Sequence, residues 1–237
     1  MKVGIIGDTH LPAVHPAYLD FCTDVFAAWG VEKVIHIGDV VDWHSISFHD
    51  KHPDLPSAKD EWHLVQKFLE PWKKRFPKVS VCIGNHDARV TRLAESASIP
   101  AEFLKPYPEI WGTPGWDWED QYVIDNVLYI HGNRRSGLNP ALNMVKKGTG
   151  MSVVMGHCHT VCGVHWQFGP KSRWFGLDTG CGADQKSPVM RYAHDRDIKW
   201  ALSCGVVIDG HPYSEVMPCD RGEPYHRSKF QKKRGRK

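Results

Sequence analysis

The constraint that narrows the fold most is an alternation in the first half of the chain. Short apolar runs at 2–7, 33–38 and 78–83 have the length and bulk of buried strands. Two segments with helical periodicity separate them. Between Ala17 and Trp29, the residues Tyr18, Cys22, Val25, Phe26 and Trp29 fall on one face. Between Ala58 and Phe76, Trp62, Val65, Leu69, Trp72 and Phe76 recur at alternating spacings of three and four, a stripe suited to packing on a sheet. Pro77 stops that helix, because proline cannot continue the backbone ladder. A third helix is expected to open between Asp87 and Glu95. Such a strand-helix-strand-helix-strand run dictates a largely parallel sheet with right-handed crossovers.

The second half supplies short strands near 121–124, 127–130, 152–155, 174–177 and 203–208, with a short helix near 140–147. Between Pro100 and Trp118 the chain is rich in proline, glycine and tryptophan, and an irregular surface excursion is expected there. The whole reads as an α/β chain with two sheets packed together and flanked by helices. Its 237 residues fit one domain over 1–220, followed by an unstructured tail over 221–237.

Charge divides along the same boundary. Residues 221–237 hold eight Lys/Arg and one Glu, whereas the preceding 220 hold 22 Lys/Arg against 26 Asp/Glu. The body is therefore mildly acidic and the tail strongly basic. Nucleic-acid contact through phosphate neutralisation and a merely solvated terminus both explain such a tail. No run of about 18 apolar residues exists to span a membrane. The apolar start ends at Asp8 and reads as a first strand rather than a signal peptide. With seven cysteines, an odd number, the chain is expected to keep reduced thiols in the cytoplasm. Cys158 and Cys162 flank His159, but no second cysteine pair accompanies them to complete a zinc knuckle.

The chemistry collects at strand ends. Successive strands end in Gly7-Asp8-Thr9-His10, Gly38-Asp39-Val40-Val41-Asp42, Gly84-Asn85-His86-Asp87, His131-Gly132 and Gly156-His157-Cys158-His159. Parallel strands gather their carboxyl ends along one edge, so these residues are expected to converge. Carboxylate and amide oxygens mixed with imidazole nitrogens suit manganese, iron, zinc, nickel or cobalt. Asp8 and His10, like His157 and His159, stand two apart, so a continuing strand points both the same way. Each motif alone marks nothing more than a turn; the ordered set of five is informative.

That set resembles the calcineurin-like metallophosphoesterase superfamily, over residues 7–160. The resemblance implies a four-layer α/β sandwich, with two packed mixed β-sheets flanked by helices. It implies two divalent metal ions, manganese favoured, with Asp8, His10 and His159 on one, Asn85, His131 and His157 on the other, and Asp39 bridging. His86 is then the catalytic residue that stabilises or protonates the leaving oxygen, Asp87 orients it, and a hydroxide on the metals attacks. Asp42 is expected to support the metal ligands, and His36 to be a satisfied core histidine. His44, His49, His52 and His63 fit no ligand pattern. Arg134 and Arg135 are candidates for contacting substrate phosphate, with plain surface charge as the other reading.

The substrate is less constrained. Trp43-His44 after Asp42, and Asp rather than Glu at position 87, depart from the pattern of phosphoprotein phosphatases. Gly84-Asn85-His86-Asp87 is similar to the third motif of repair-type nucleases and cyclic-nucleotide phosphodiesterases. A phosphodiesterase or nuclease acting on DNA or RNA is the first expectation. A phosphomonoesterase for a small molecule or phosphoprotein is the second, and a non-catalytic scaffold the third.

Overall fold

The computed structural model describes residues 1–47, 55–133, 136–193 and 199–218. The tail, Arg134, Arg135, His49 and His52 lie outside the described residues.

One sheet holds β1 (Lys2–Ile6), β2 (Lys33–His36), β3 (Val79–Cys82), β4 (Trp116–Glu119), β10 (Ser203–Ile208) and β11 (His211–Val216), in the order β11-β10-β1-β2-β3-β4. Strands β1 to β4 run parallel, and β10 joins β1 antiparallel. The other sheet holds β5 (Gln121–Ile124), β6 (Val127–Ile130), β7 (Ser152–Met155), β8 (Cys162–Phe168) and β9 (Arg173–Thr179), in the order β5-β6-β7-β9-β8. Helices α1 (Tyr18–Trp29) and α2 (Ala58–Arg75) are the first two crossovers. They are followed by α3 (Arg89–Ser96), α4 (Tyr107–Trp111) and α5 (Pro140–Lys146).

Alternation along the strands builds the layers. Val3 and Ile5 of β1 and Ile35 of β2 turn inward, against Tyr129, Val154, Phe175 and Leu177 of the second sheet. The opposite face of the first sheet, with Ile6, Val79 and Val81, packs on Phe21, Val25 and Phe26 of α1 and Val65, Leu69 and Trp72 of α2. Leu128, Val153 and Met155 of the second sheet receive Ala141, Leu142 and Val145 of α5. The result is the four-layer α/β sandwich, helix on sheet on sheet on helix. Each large side chain buried this way contributes about 1.5–3 kcal/mol.

The stretch 100–118 is not an irregular surface excursion. It contains α4 and opens β4, whose Trp-Asp-Trp-Glu sequence alternates buried and exposed. Trp111, Trp116 and Trp118 are core residues. Proline and glycine punctuate this segment, but tryptophan at a spacing of two is the strand signal that decides its fate. The Trp116 indole also donates to the carbonyl oxygen of Phe76 at 2.9 Å, satisfying an otherwise free group at the end of α2. Pro71 sits inside α2 without ending it, whereas Pro77 lies beyond its last residue. Among the described residues no helix is long and apolar enough to cross a membrane.

Candidate metal centre

All five polar motifs follow parallel strands: β1, β2 and β3 in one sheet, β6 and β7 in the other. Their loops are tied to one another by backbone bonds. Thr9 and His10 donate from their N–H groups to the Asp39 carbonyl at 3.1 and 2.9 Å, and Leu11 donates to Val40 at 2.9 Å. The strand does not continue through the first and last motifs. His10, Asp39 and His157 have φ of 47°, 49° and 67°, in the left-handed region. Side chains two apart therefore meet through a turn, not through the pleat. Such backbone costs of order 1–3 kcal/mol per residue and persists where surrounding structure over-determines it. Part of that determination is close packing. A Cβ at Gly84 collides with the Asp39 carboxylate and amide, and one at Gly156 collides with Asp8 Oδ1.

Two groups of donors result. In the first, His159 Nε2 lies 3.2 Å from Asp8 Oδ2 and 3.0 Å from His10 Nε2. In the second, His131 Nε2 lies 3.1 Å from Asn85 Oδ1 and 3.2 Å from Asp39 Oδ2. His157 completes that group: its ring stands edge-on to His131 at 5.2 Å, and one ligand atom each from Asp39, His131 and His157 fall within 4.8 Å of one another. Asp39 joins the groups, its Oδ2 being 3.6 Å from His10 Nε2 as well.

The tautomers follow from the partners. His131 Nδ1–H donates to the Ile37 carbonyl at 3.0 Å, so Nε2 is the ring atom turned to the site. His10 Nδ1–H donates to Asp42 Oδ1 at 2.9 Å, with the same consequence. Both Nε2 atoms thus face a site crowded with carboxylate and amide oxygens, where a proton or a cation is needed between the partners. Asp8 Oδ1 is buried and has no hydrogen-bond partner. Buried carboxylates gathered this closely are stable only around positive charge, and this donor set fits divalent cations.

Electrostatics carry the same message. Burial pulls the His131 imidazole down, but the Asp39 and Asp8 carboxylates outweigh it and push it up to about 10. Burial raises Asp39, yet His131, His86 and His10 hold it well below the ordinary carboxylate range. The carboxylates recruit a proton onto His131, and a cation meets the same demand. His10, by contrast, is drawn down to about 4 by burial and by the charge of His86.

His86 belongs to neither donor group. Its amide donates to Asp39 Oδ1 at 2.8 Å, and its ring stands edge-on to His10 at 4.5 Å. Its Nδ1–H faces the Asp42 carbonyl at 2.8 Å and Asp42 Oδ1 at 3.0 Å. Asp42 therefore aligns both His10 and His86. The orienting role expected for Asp87 has no geometric counterpart. The Asp87 carboxylate accepts from the N–H groups of Val41 at 3.2 Å and Gly84 at 2.9 Å, fastening two loops together. Burial, then the Asp39 charge, pushes its pKa up to about 7. His36 is held by two bonds: Nδ1 accepts from Gly38 N–H at 3.2 Å, and Nε2–H donates to Thr9 Oγ1 at 3.0 Å. It props the first loop from within the core.

Two neighbours escaped the sequence reading. Arg89 donates from Nη1 to the carbonyls of Asp42 and Trp43, and Nη2 lies 3.2 Å from His86 Nε2. Glu61 of α2 is fully buried and accepts from the N–H groups of His44 and Ser45 at 3.0 and 3.1 Å, anchoring the turn that follows Asp42. The only sequence signal for Arg89 was its place three residues after His86. Cys158 and Cys162 enter no metal-competent group among the described residues.

The family model for calcineurin-like phosphoesterases matches residues 1–199. No curated protein sequence matches the chain. Among solved structures it is similar to the nuclease MPE of Pseudomonas putida, with 15% identity over 90% of this chain and 87% of that one and a TM-score of 0.45. It is also similar to Yfce, a phosphoesterase from E. coli, with 18% identity over 88% of each chain and a TM-score of 0.41. Vps29 of Chaetomium thermophilum matches with 11% identity over 95% of this chain and 92% of that one, at a TM-score of 0.49.

Proposed function

The chain belongs to the calcineurin-like phosphoesterase family, and from that premise we propose that it is a two-metal phosphodiesterase, with a DNA or RNA strand as the first substrate class. One observation carries the reading: two groups of oxygen and imidazole ligand atoms share the single carboxylate of Asp39. Asp8, His10 and His159 would hold one cation and Asn85, His131 and His157 the other, with Asp39 available to both groups. When bound, the pair supplies charge neutralisation for a phosphoryl group and acidifies water at neutral pH.

The protein supplies everything else. Ile37 and Asp42 fix the two imidazoles in the tautomers that present Nε2. His86 Nε2 is placed to give its proton to the leaving oxygen. Asp42, on Nδ1, stabilises the imidazolium before that transfer. Burial lowers the His86 pKa, but Asp39 and Asp42 together leave it raised, which suits an acid near neutrality. The diester preference is supported by the Gly-Asn-His-Asp motif and the basic charge of 221–237.

The test is a substrate panel on manganese-loaded protein: bis(p-nitrophenyl) phosphate, p-nitrophenyl phosphate and labelled DNA and RNA. Diester cleavage well above monoester cleavage is expected. The reverse ratio removes the diester reading in favour of a monoesterase, and silence on every substrate favours a non-catalytic scaffold.

A further inference from the structure

Arg89 opens α3 and is buried, with 8% of its surface exposed. Arginine is a permanent cation in proteins, and an unpaired buried cation is costly. Among the described residues no carboxylate pairs with this guanidinium. Its recorded partners are two carbonyl oxygens and one imidazole nitrogen: Asp42 O at 2.6 Å, Trp43 O at 2.9 Å and His86 Nε2 at 3.2 Å. These give it partial charges, not a counter-ion.

The two halves of the fork do different things. Nη1 is fixed by the carbonyls, and that attachment is firm: Trp43 is buried against Trp111, ring to ring at 5.4 Å. A structural tie between α3 and the loop after β2 needs no more than this. Nη2 lies instead 3.2 Å from His86 Nε2, the ring nitrogen not taken up by Asp42. With His86 Nδ1–H toward Asp42, Nη2–H rests on Nε2 in the neutral imidazole, and Nε2 can take up the proton of the acid form only once Nη2 has another acceptor. A substrate oxygen arriving at His86 meets a charged donor already in place.

We propose that Arg89 is a substrate-binding residue of this site, its guanidinium taking a phosphoryl oxygen of the ester held beside His86. The inference rests on the phosphoesterase reading above. The phosphate supplies the missing counter-charge, and charge-assisted guanidinium–phosphate bonds are short and directional. On binding, Nη2–H exchanges the imidazole for the oxyanion, and Nε2 is freed to be protonated from solvent and to face the leaving oxygen as an acid. Anchored by Nη1, the fork loses little freedom on binding.

Inorganic phosphate is the probe. It is titrated calorimetrically into the full chain loaded with manganese, for wild type, Arg89→Lys and Arg89→Gln, with metal content measured in parallel. Arg89→Gln is expected to weaken phosphate by about 10- to 100-fold, the loss typical of a charge-assisted bond, with manganese content unchanged. Arg89→Lys restores part of the loss. Phosphate affinity within twofold of wild type in Arg89→Gln overturns the proposal, as does wild-type protein that binds no phosphate. If Arg89→Gln loses its metal or its melting transition, a crystal of manganese-loaded wild type with phosphate decides instead. Nη2 on a phosphate oxygen supports the role, and Nη2 still on His86 beside bound phosphate refutes it. Phosphate binding reads Arg89 whether or not the wild type cleaves the substrate panel, so the two readings fail separately.

Discussion

Replacing Asp42 with Asn separates the two carboxylates that compete for the role of aligning His86. Asp42 Oδ1 receives His10 Nδ1–H at 2.9 Å and lies 3.0 Å from His86 Nδ1. Burial opposes its charge, but those two histidines hold its pKa well below the ordinary range, so it is ionised throughout. Asn keeps the shape and removes the charge. A hydrogen bond to a charged group contributes about 1.5–3 kcal/mol and a neutral one about 0.5–1.5, so each bond weakens by about 1–1.5 kcal/mol. Two bonds give about 2–3 kcal/mol, or roughly 30- to 160-fold in kcat/KM. The companion variant is Asp87→Asn. Among the described residues its carboxylate accepts hydrogen bonds from the backbone N–H groups of Val41 and Gly84 and none from His86. The variant is therefore expected to cost about 1–3 kcal/mol of stability, read as a lower melting temperature, and to slow turnover less than Asp42→Asn does. The assay is kcat/KM on bis(p-nitrophenyl) phosphate beside thermal melts of both variants. Asp42→Asn within threefold of wild type, with Asp87→Asn the slower of the two, refutes the alignment drawn from these distances.

Other expectations are simpler to state. Gly156→Ala forces a methyl group onto Asp8 Oδ1; it is expected to reduce manganese affinity at least tenfold, read by titration with a chelator, and unchanged affinity counts against the tight packing. His86→Ala should retain both metals while slowing poor leaving groups by about 10²–10⁴-fold and good ones much less; equal slowing across a series of aryl phosphodiesters contradicts a leaving-group role. Asp178, at the end of β9, accepts from Ala141 N–H at the start of α5 and leaves its other oxygen unpartnered. Burial raises its pKa from 3.8 to about 7. The sign follows: the protonated form is favoured in the fold, so its contribution is full below pH 3.8 and is lost as pH rises through 7. Asp178→Asn is expected to remove that part of the decline between pH 4 and 7 in denaturant titrations (about the width of that window); parallel pH curves for the variant and wild type contradict it.

Sequence alone was informative wherever one residue type has one physical reading. Buried apolar runs and the stripe of α2 placed β1, β2, β3 and their crossovers. The motif order then pointed to residues that the fold brings together at the carboxyl ends of strands from both sheets. Pattern reading failed where tertiary context overrides composition. The 100–118 stretch looked like a loop because Pro100, Pro106, Pro108, Pro114 and Gly115 dominate it, yet Trp111, Trp116 and Trp118 needed a core. Strands β8 and β11 went unread because neither has a clean apolar face: β8 is half-buried along most of its length, and β11 contains Pro212 at the sheet edge. The attachment of His86 to Asp42 rather than Asp87 was invisible because adjacency in sequence says nothing about direction once the backbone turns. Arg89 was silent for a similar reason. An arginine on a short helix reads as surface charge until its burial is seen.

The most direct measurement is the metal content of the purified chain by elemental analysis, taken for wild type and Asp39→Asn after equilibration with manganese and removal of free ion. Two ions per chain in the wild type, with occupancy of both lost in the variant, is the predicted result, since one carboxylate serves both groups. A wild type that binds one ion or none, or an Asp39→Asn protein that keeps two, contradicts it.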